Sequence, residues 1–273
     1  MIGDQLECAY HGWRFDRNGH CALIPAVGPD GRIPGSARAD AAWGVTERYG
    51  LIWIAPQEPV VPLIDLPDWD DPSRTQVEME VHTGRYGAAL LIDNQLDMAH
   101  FAFLHAGTFG TPDGQIAPTA EIIGAAWGFT VNAQIPITAG NDPAALRGER
   151  PTAQYRKMTY RYQAPFSLEL RLDYPIMGGS TLIWFFAQPE TEDRCSLHTT
   201  LSFQQPGGFS AAQLNERLKF EHQILAEDMD LQARFEDLSL PLGPGAETHT
   251  RADRPSIEYR RILRDILSNV GQG

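Results

Sequence analysis

The chain has 273 residues, 42% of them hydrophobic, with a formal net charge of −13. That apolar content suffices for one large core or two modest ones, and the negative balance argues against a nucleic-acid partner, whose phosphates it would repel. No apolar run reaches about 18 residues and no signal peptide opens the chain, so neither a membrane span nor secretion is expected; Cys8, Cys21 and Cys195 are too few and too scattered for a disulfide framework and point to a reducing cytoplasm.

Trp13 to Phe15 and Cys21 to Ile24 read as strands around Asp16-Arg17-Asn18-Gly19, a turn whose Asn-Gly accepts positive φ. Val45 to Ile54 reads as a strand pair or a bulged strand, with Gly50 at the bend. Residues 56–72 hold Pro56, Pro59, Pro62, Pro67 and Pro72 and several aspartates. That is linker composition, and it divides the chain into domains at 1–58 and 73–273. Strand-like VEMEVHTG (77–84) is followed by an expected helix over 90–105. Further β segments fall at 119–135, 153–163, 166–174, 180–188 and 195–204, and Gly140 to Pro151 is loop-like. Ser210 as N-cap with Gln213 three residues on predicts a capping box. It opens a long helix to about Asp237. After a break at 238–255, Ser256 to Leu267 is a last amphipathic helix. The class is α+β: an antiparallel sheet with helices.

The run DNQLDMAHFAFLH gathers Asn94, Asp97, His100 and His105. Asp97 and His100, three apart, are expected to share a helix face. His100 and His105 lie about 140° apart on an ideal helix. Converging on one ion therefore requires a π-type bulge or a helix end between them. A carboxylate is expected from the late helix, where Ile224, Asp228, Leu231 and Phe235 mark one face. Asp228 is the one charge in that stripe and needs a cation, either a metal or an arginine. Glu227 and Asp230 are read as a solvated face. Two histidines and a carboxylate leave three positions open on a ferrous ion. Near the start, Cys8-Ala9-Tyr10-His11 is a Cys-x-x-His pair, which alone fits several metal sites.

The run CAYHGWRFDRNGHCALIP resembles the second ligand loop of Rieske proteins, where two Cys hold one iron of a [2Fe–2S] cluster and two His the other. With N-x-x-D-x-x-H-x-x-x-x-H at Asn94, Asp97, His100 and His105, and the acidic pair Glu227-Asp228, the chain resembles the oxygenase α subunit of Rieske non-heme iron oxygenases. It is closest in pattern to the vanillate O-demethylase and dicamba monooxygenase group. The resemblance implies a partial Rieske β domain followed by a helix-grip (START-like) catalytic domain. It makes His100, His105 and Asp228 the ligands of a mononuclear Fe(II), and Cys8 and His11 half of the cluster's set. It implies a head-to-tail homotrimer in which Asp97 reaches His11 of the partner subunit, while Asn94 supports the ligands or is a weak extra one. A first Cys-x-His loop is expected before Cys8, where only seven residues stand, so an N-terminally truncated chain is expected.

The implied reaction is ring hydroxylation or O/N-demethylation of a small aromatic substrate with O₂. Electrons would come from a separate NAD(P)H-dependent reductase or ferredoxin, since no Gly-rich dinucleotide fingerprint is present. The alternatives are an inactive homologue, a helix-grip module that binds a small molecule, or a zinc hydrolase. Among Tyr160, Tyr162, Phe166, Leu168, Leu170, Leu172, Ile176, Trp184 and Phe186, the residues singled out as a substrate wall are Tyr162, Leu172, Ile176 and Trp184. Arg171 or His198 is the expected partner of an acidic group. His20, His82, His222, His249, Cys21 and Cys195 are read as non-ligands.

Overall fold

The computed structural model describes residues 1–40, 42–138 and 143–270. Its contacts divide the chain into two units, Met1–Val60 and Val61–Gly273.

In the first unit, β1 (Leu6–Glu7), β2 (Arg14–Phe15) and β3 (Cys21–Leu23) form a small antiparallel sheet. The Asn-Gly turn forms as expected. The Asp16 carboxylate accepts from the amides of Asn18 and His20, each at 2.9 Å, and Gly19 takes φ 78°. Cys8 and His11 sit in the tight loop between β1 and β2. There Gly12 adopts φ 71°, and a Cβ on it would lie 3.1 Å from Pro25 Cγ, so the loop needs glycine at that point. β4 (Gly44–Arg48) and β5 (Leu51–Ala55) form a hairpin. Tyr49 and Gly50, at φ 59° and 69°, close it with the two-residue turn that matches strand twist. Val45 to Ile54 is thus a strand pair.

The second unit begins at Val61 rather than at 73. The stretch with linker composition lies against the unit's sheet. Ile64 and Leu66 are buried, Gln163 Nε2 donates to Pro62 O at 3.2 Å, and the Trp69 ring lies 4.7 Å from that of Trp184. Proline here fixes extended backbone along a surface instead of freeing it.

This unit runs β6 (Thr75–Glu78), β7 (His82–Gly84), α1 (Ala88–Leu96), α2 (Phe101–Leu104), β8 (Glu121–Ala125), β9 (Gly128–Thr138), α3 (Pro143–Leu146), β10 (Ala153–Gln163), β11 (Ser167–Asp173), β12 (Ser180–Thr191), β13 (Arg194–Gln204), α4 (Ala211–Gln232) and α5 (Arg254–Val270). The strands form one antiparallel sheet in the order β6-β13-β12-β11-β10-β9-β8, with β7 also beside β13. Register places Val131, Tyr160, Leu170, Ile183 and Leu201 in one row across five strands. All five are buried. On the opposite face, Arg161, Glu169 and Trp184 form a row instead. α1 packs on β12 and β13, and α5 on β9. The result is the expected α+β helix grip.

The expected helix over 90–105 is two helices, and the segment 119–135 is the β8–β9 hairpin. Gly140 to Pro151 holds the short α3, with residues 140–142 outside the described residues. α4 stops at Gln232, five residues before Asp237. No helix among the described residues is long and apolar enough to cross a membrane.

Candidate metal centre

The gap between α1 and α2 positions two histidines. α1 starts at Gly87, where a Cβ would lie 2.2 Å from Leu238 O. It ends because Asp97 turns extended, at φ −80° and ψ 129°. The Asp97 carboxylate then accepts from the Ala99 amide at 2.7 Å and meets His100 Nδ1 at 3.1 Å. Asp97 and His100 therefore do not share a helix face; they meet across a turn. His100 and His105 flank the four residues of α2 as its N-cap and C-cap. The required distortion is thus a helix end on each side of α2, not a bulge between the histidines. Their Nε2 atoms approach to 3.2 Å. Gly110 closes the loop after α2. Its amide donates to His105 O at 2.8 Å, and a Cβ there would lie 2.0 Å from Phe101 O.

The third group comes from α4, which opens with the expected capping box of Ser210 and Gln213. Its buried residues are Glu221, Leu225, Asp228, Met229 and Gln232. The stripe through Ile224, Leu231 and Phe235 is not the buried one: Phe235 is 41% exposed. Nor is Asp228 the sole buried charge, since Glu221 is buried too. Asp228 Oδ1 lies 3.3 Å from His105 Nε2 and 3.6 Å from His100 Nε2. The ion partners of Asp228 among the described residues are these histidines; none is an arginine.

Each of the three groups has one arm tied and one arm free. Asp97 holds His100 Nδ1. Glu227 Oε2 accepts from His105 Nδ1 at 2.7 Å. Gln95 Nε2 donates to Asp228 Oδ2 at 3.3 Å. A carboxylate on Nδ1 accepts its proton and leaves Nε2 with the lone pair, the arrangement that orients imidazole ligands. Glu227 is therefore not on a solvated face; Asp230 is exposed, as expected. Gln95 and Glu227 escape a reading of the sequence, although Glu227's place beside Asp228 is a usable signal. So does Phe109, whose ring stacks on His105 at 4.8 Å.

The electrostatics suit a cation. Burial pushes the His105 imidazolium down, but the bonds and charges of Asp228 and Glu227 outweigh it and hold His105 above its ordinary pKa. Burial likewise pushes the Asp97 carboxyl up, yet the hydrogen bonds from His100 and the Ala99 amide leave it below the usual carboxylate range. Asp228 Oδ1 is shut from solvent with no hydrogen-bond partner, a costly state for a carboxylate oxygen. The free ligand atoms of His100, His105 and Asp228 lie within 4.8 Å of one another. Two imidazole nitrogens and one carboxylate oxygen are the donor set of non-heme Fe(II) sites, so the residues fit that metal.

A cleft of about 1420 Å³ opens from the centre. Of the expected wall residues, Leu172 lines it, as do Tyr160 and Leu170. Tyr162 lies outside the lining, with its hydroxyl donating to Pro165 O at 3.0 Å. Trp184 faces the other side of β12, where its Nε1 donates to Glu169 Oε2 at 2.7 Å. Ile176 is outside as well; its carbonyl accepts from Arg150 at 2.8 Å. Phe166, Leu168 and Phe186 are not in the lining either. Arg171 is held by Asp173 at 3.0 Å and Asp68 at 3.2 Å, and neither it nor His198 lines the cleft. Asn94 does line it, and its Nδ2 is buried without a partner. In the first unit, Cys8 is a free, exposed thiol and His11 is exposed.

Residues 87–268 match the vanillate O-demethylase oxygenase C-terminal domain, and residues 1–43 the Rieske [2Fe-2S] domain. The chain is 27% identical over 281 residues to methylxanthine N1-demethylase NdmA of Pseudomonas putida, covering 100% of this chain and 74% of that protein. It is 24% identical over 272 residues to methylxanthine N3-demethylase NdmB of the same organism, covering 99% and 72%. The solved structure of Pseudomonas putida CBB5 NdmA with caffeine superposes with a TM-score of 0.83 at 24% identity, covering 98% of this chain and 74% of that one. Dicamba monooxygenase bound to dicamba gives 0.74 at 22% identity, covering 98% and 82%; these two likenesses speak for the fold. With a Rieske domain match ahead of a matched catalytic domain, the chain belongs to the vanillate O-demethylase-type Rieske non-heme iron oxygenases, a family of oxidoreductases.

Proposed function

We propose that this chain is the oxygenase component of a monooxygenase that removes O- or N-methyl groups from, or hydroxylates, a small aromatic substrate. The relatives named methylxanthine demethylases and dicamba monooxygenase support the substrate class. The observation that carries the reading is the convergence of His100 Nε2, His105 Nε2 and the buried Asp228 Oδ1, which no hydrogen bond satisfies, beside the cleft. His100, His105 and Asp228 would hold the iron. When bound, it supplies a redox-active site with open positions for O₂ beside the substrate. The protein's own part is to fix the two ring orientations through Asp97 and Glu227, and to keep water from the substrate with Leu170, Leu172 and Ile183.

Cys8 and His11 supply one Cys/His pair of the Rieske cluster that the family carries; the 273 residues hold no Cys-x-His for the other pair. Electrons come from a separate NAD(P)H-dependent reductase or ferredoxin. In a homotrimer, Asp97 would link the iron to His11 of the partner subunit; its depressed pKa keeps it an acceptor at neutral pH.

Metal analysis after anaerobic reconstitution tests the centre. About one mononuclear iron per chain is expected, with loss of nearly all of it in His100→Ala. Iron content unchanged by that substitution removes the assignment. Reductase- and O₂-dependent release of formaldehyde from methoxy- or N-methyl-aromatic substrates tests the reaction.

A further inference from the structure

The lining of the cleft holds polar groups that the iron site does not use. Tyr160 is fully buried in the middle of β10, and its hydroxyl has no partner. Arg156 lies on the same strand and, four residues away, on the same face; its Nε is shut from solvent and unpaired. Asn94 Nδ2 and Thr199 Oγ1, also in the lining, are buried and unpaired. Two of these atoms can only donate, and the other two are hydroxyls that can do so. The Arg156 guanidinium stands 5.1 Å from the centre of the Phe109 ring, the ring that stacks on His105. Tyr160 and Arg156 line the same cleft as His100, His105 and Asp228, and Tyr160 feels the charges of Arg156, Asp97 and Asp228. Burial pushes the hydroxyl far above its ordinary pKa, so it remains an O–H donor at any working pH. Buried donors left unpaired beside a cleft are unfavourable alone and become favourable when a ligand brings acceptors.

We propose that Tyr160 and Arg156 are specificity-determining residues, donating hydrogen bonds to an oxygen acceptor on a planar substrate and so aiming its other edge at the iron. The inference rests on the function proposed above and adds the feature that the substrate must carry: a ring-borne oxygen, either a carboxylate or a neutral ring carbonyl. An unsubstituted hydrocarbon edge would leave the donors buried and unsatisfied.

Calorimetric titration of iron-loaded protein under anaerobic conditions, where no turnover occurs, tests this. The two oxygen-bearing probes are para-methoxybenzoate, with its carboxylate, and N-methyluracil, with its ring carbonyls. The third, para-methoxytoluene, matches the first without the carboxylate and keeps only the weakly accepting methyl ether. At least one oxygen-bearing probe is expected to bind on the order of tenfold or more tighter than para-methoxytoluene, and Tyr160→Phe is expected to remove that preference. Arg156→Gln separates the sources. It abolishes the preference if the acceptor is the carboxylate, and leaves Tyr160 dependence intact if it is the neutral carbonyl. Because the Tyr160 hydroxyl has no partner, Tyr160→Phe should unfold no earlier than the parent on heating, so lost binding is not lost folding. The inference is overturned if the three probes bind alike, if neither oxygen-bearing probe binds, or if Tyr160→Phe keeps the preference. A Tyr160-dependent preference in protein that oxidises nothing with reductase and O₂ would remove the proposed function and leave the inference. Turnover indifferent to Tyr160 would do the reverse.

Discussion

Glu227 is not one of the three groups of the candidate metal centre, yet it fixes one of the rings that form it. Its carboxylate accepts a hydrogen bond from Nδ1 of the buried His105 and another from Thr108 Oγ1 at 3.2 Å. Partners of this kind are worth about 10–100-fold in metal affinity. Glu227→Ala is expected to weaken iron binding by that amount, measured by competition with a chelator, while Glu227→Gln, which can still accept from Nδ1, falls between. No change in either variant would mean that His105 is oriented by packing on Phe109 alone. A second buried acid on α4 behaves differently. Burial raises the pKa of Glu221 despite the charges of Arg217 and Arg156. A carboxyl whose folded pKa is raised is favoured by the fold while protonated, so stability declines as pH climbs from its unfolded value towards its folded one. Glu221→Gln should therefore flatten that part of the stability–pH profile and raise Tm at pH 7 by about 2 °C, as read by calorimetry.

At the scale of elements, the strands are far more legible in the sequence than the metal-site helices. β10 to β13 alternate apolar and polar residues or run fully apolar, and only the sheet satisfies such a pattern. Which face meets the cleft is not legible. Trp184 and Tyr160 both lie in apolar runs, and only the register, with Glu169 opposite Trp184 and Leu170 opposite Tyr160, separates them. The break after Leu96 escapes notice because no glycine or proline marks it. Asp97 ends α1 by hydrogen-bonding forward to Ala99 and His100, a side-chain competition with the helix. The histidine spacing does show that an ideal helix would fail. Gly110 matters for the same element. A methyl there meets Phe101 O and the His105 carbonyl group, so Gly110→Ala must push apart the turn that carries both histidines. Overpacking of this kind costs about 2 kcal/mol. The expected outcome is a lower denaturation midpoint together with loss of iron; a variant that keeps full iron would show that the loop can shift without moving the rings.

Across the molecule, contacts divide the chain after Val60, and residues 61–72 go with the second unit. Proline and aspartate there suggest a linker, whereas Ile64, Leu66 and Trp69 carry the segment onto the second unit. A polar contact ties α1 to α5 across 167 residues of sequence. Arg260 of α5 makes a two-pronged bond to Asp93 of α1 at 2.8 and 3.0 Å, and pairs with Glu247 at 2.7 Å. The side chain of Arg260 is only 6% exposed and that of Asp93 only 18%, so water can replace little of the interaction. Asp93 immediately precedes Asn94 and Gln95, and Gln95 holds Asp228. Removing one partner of a buried pair costs about 3 kcal/mol, because the other charge remains buried and unpaired. Arg260→Leu is therefore expected to lower the urea midpoint by that free energy with little change in the slope. It should also weaken iron binding, since α1 is no longer held at Asp93. Asp93→Asn combined with Arg260→Leu, which removes both charges, should recover much of the stability. If the double variant is no more stable than Arg260→Leu, the pair contributes through packing of the arginine stem and not through its charge.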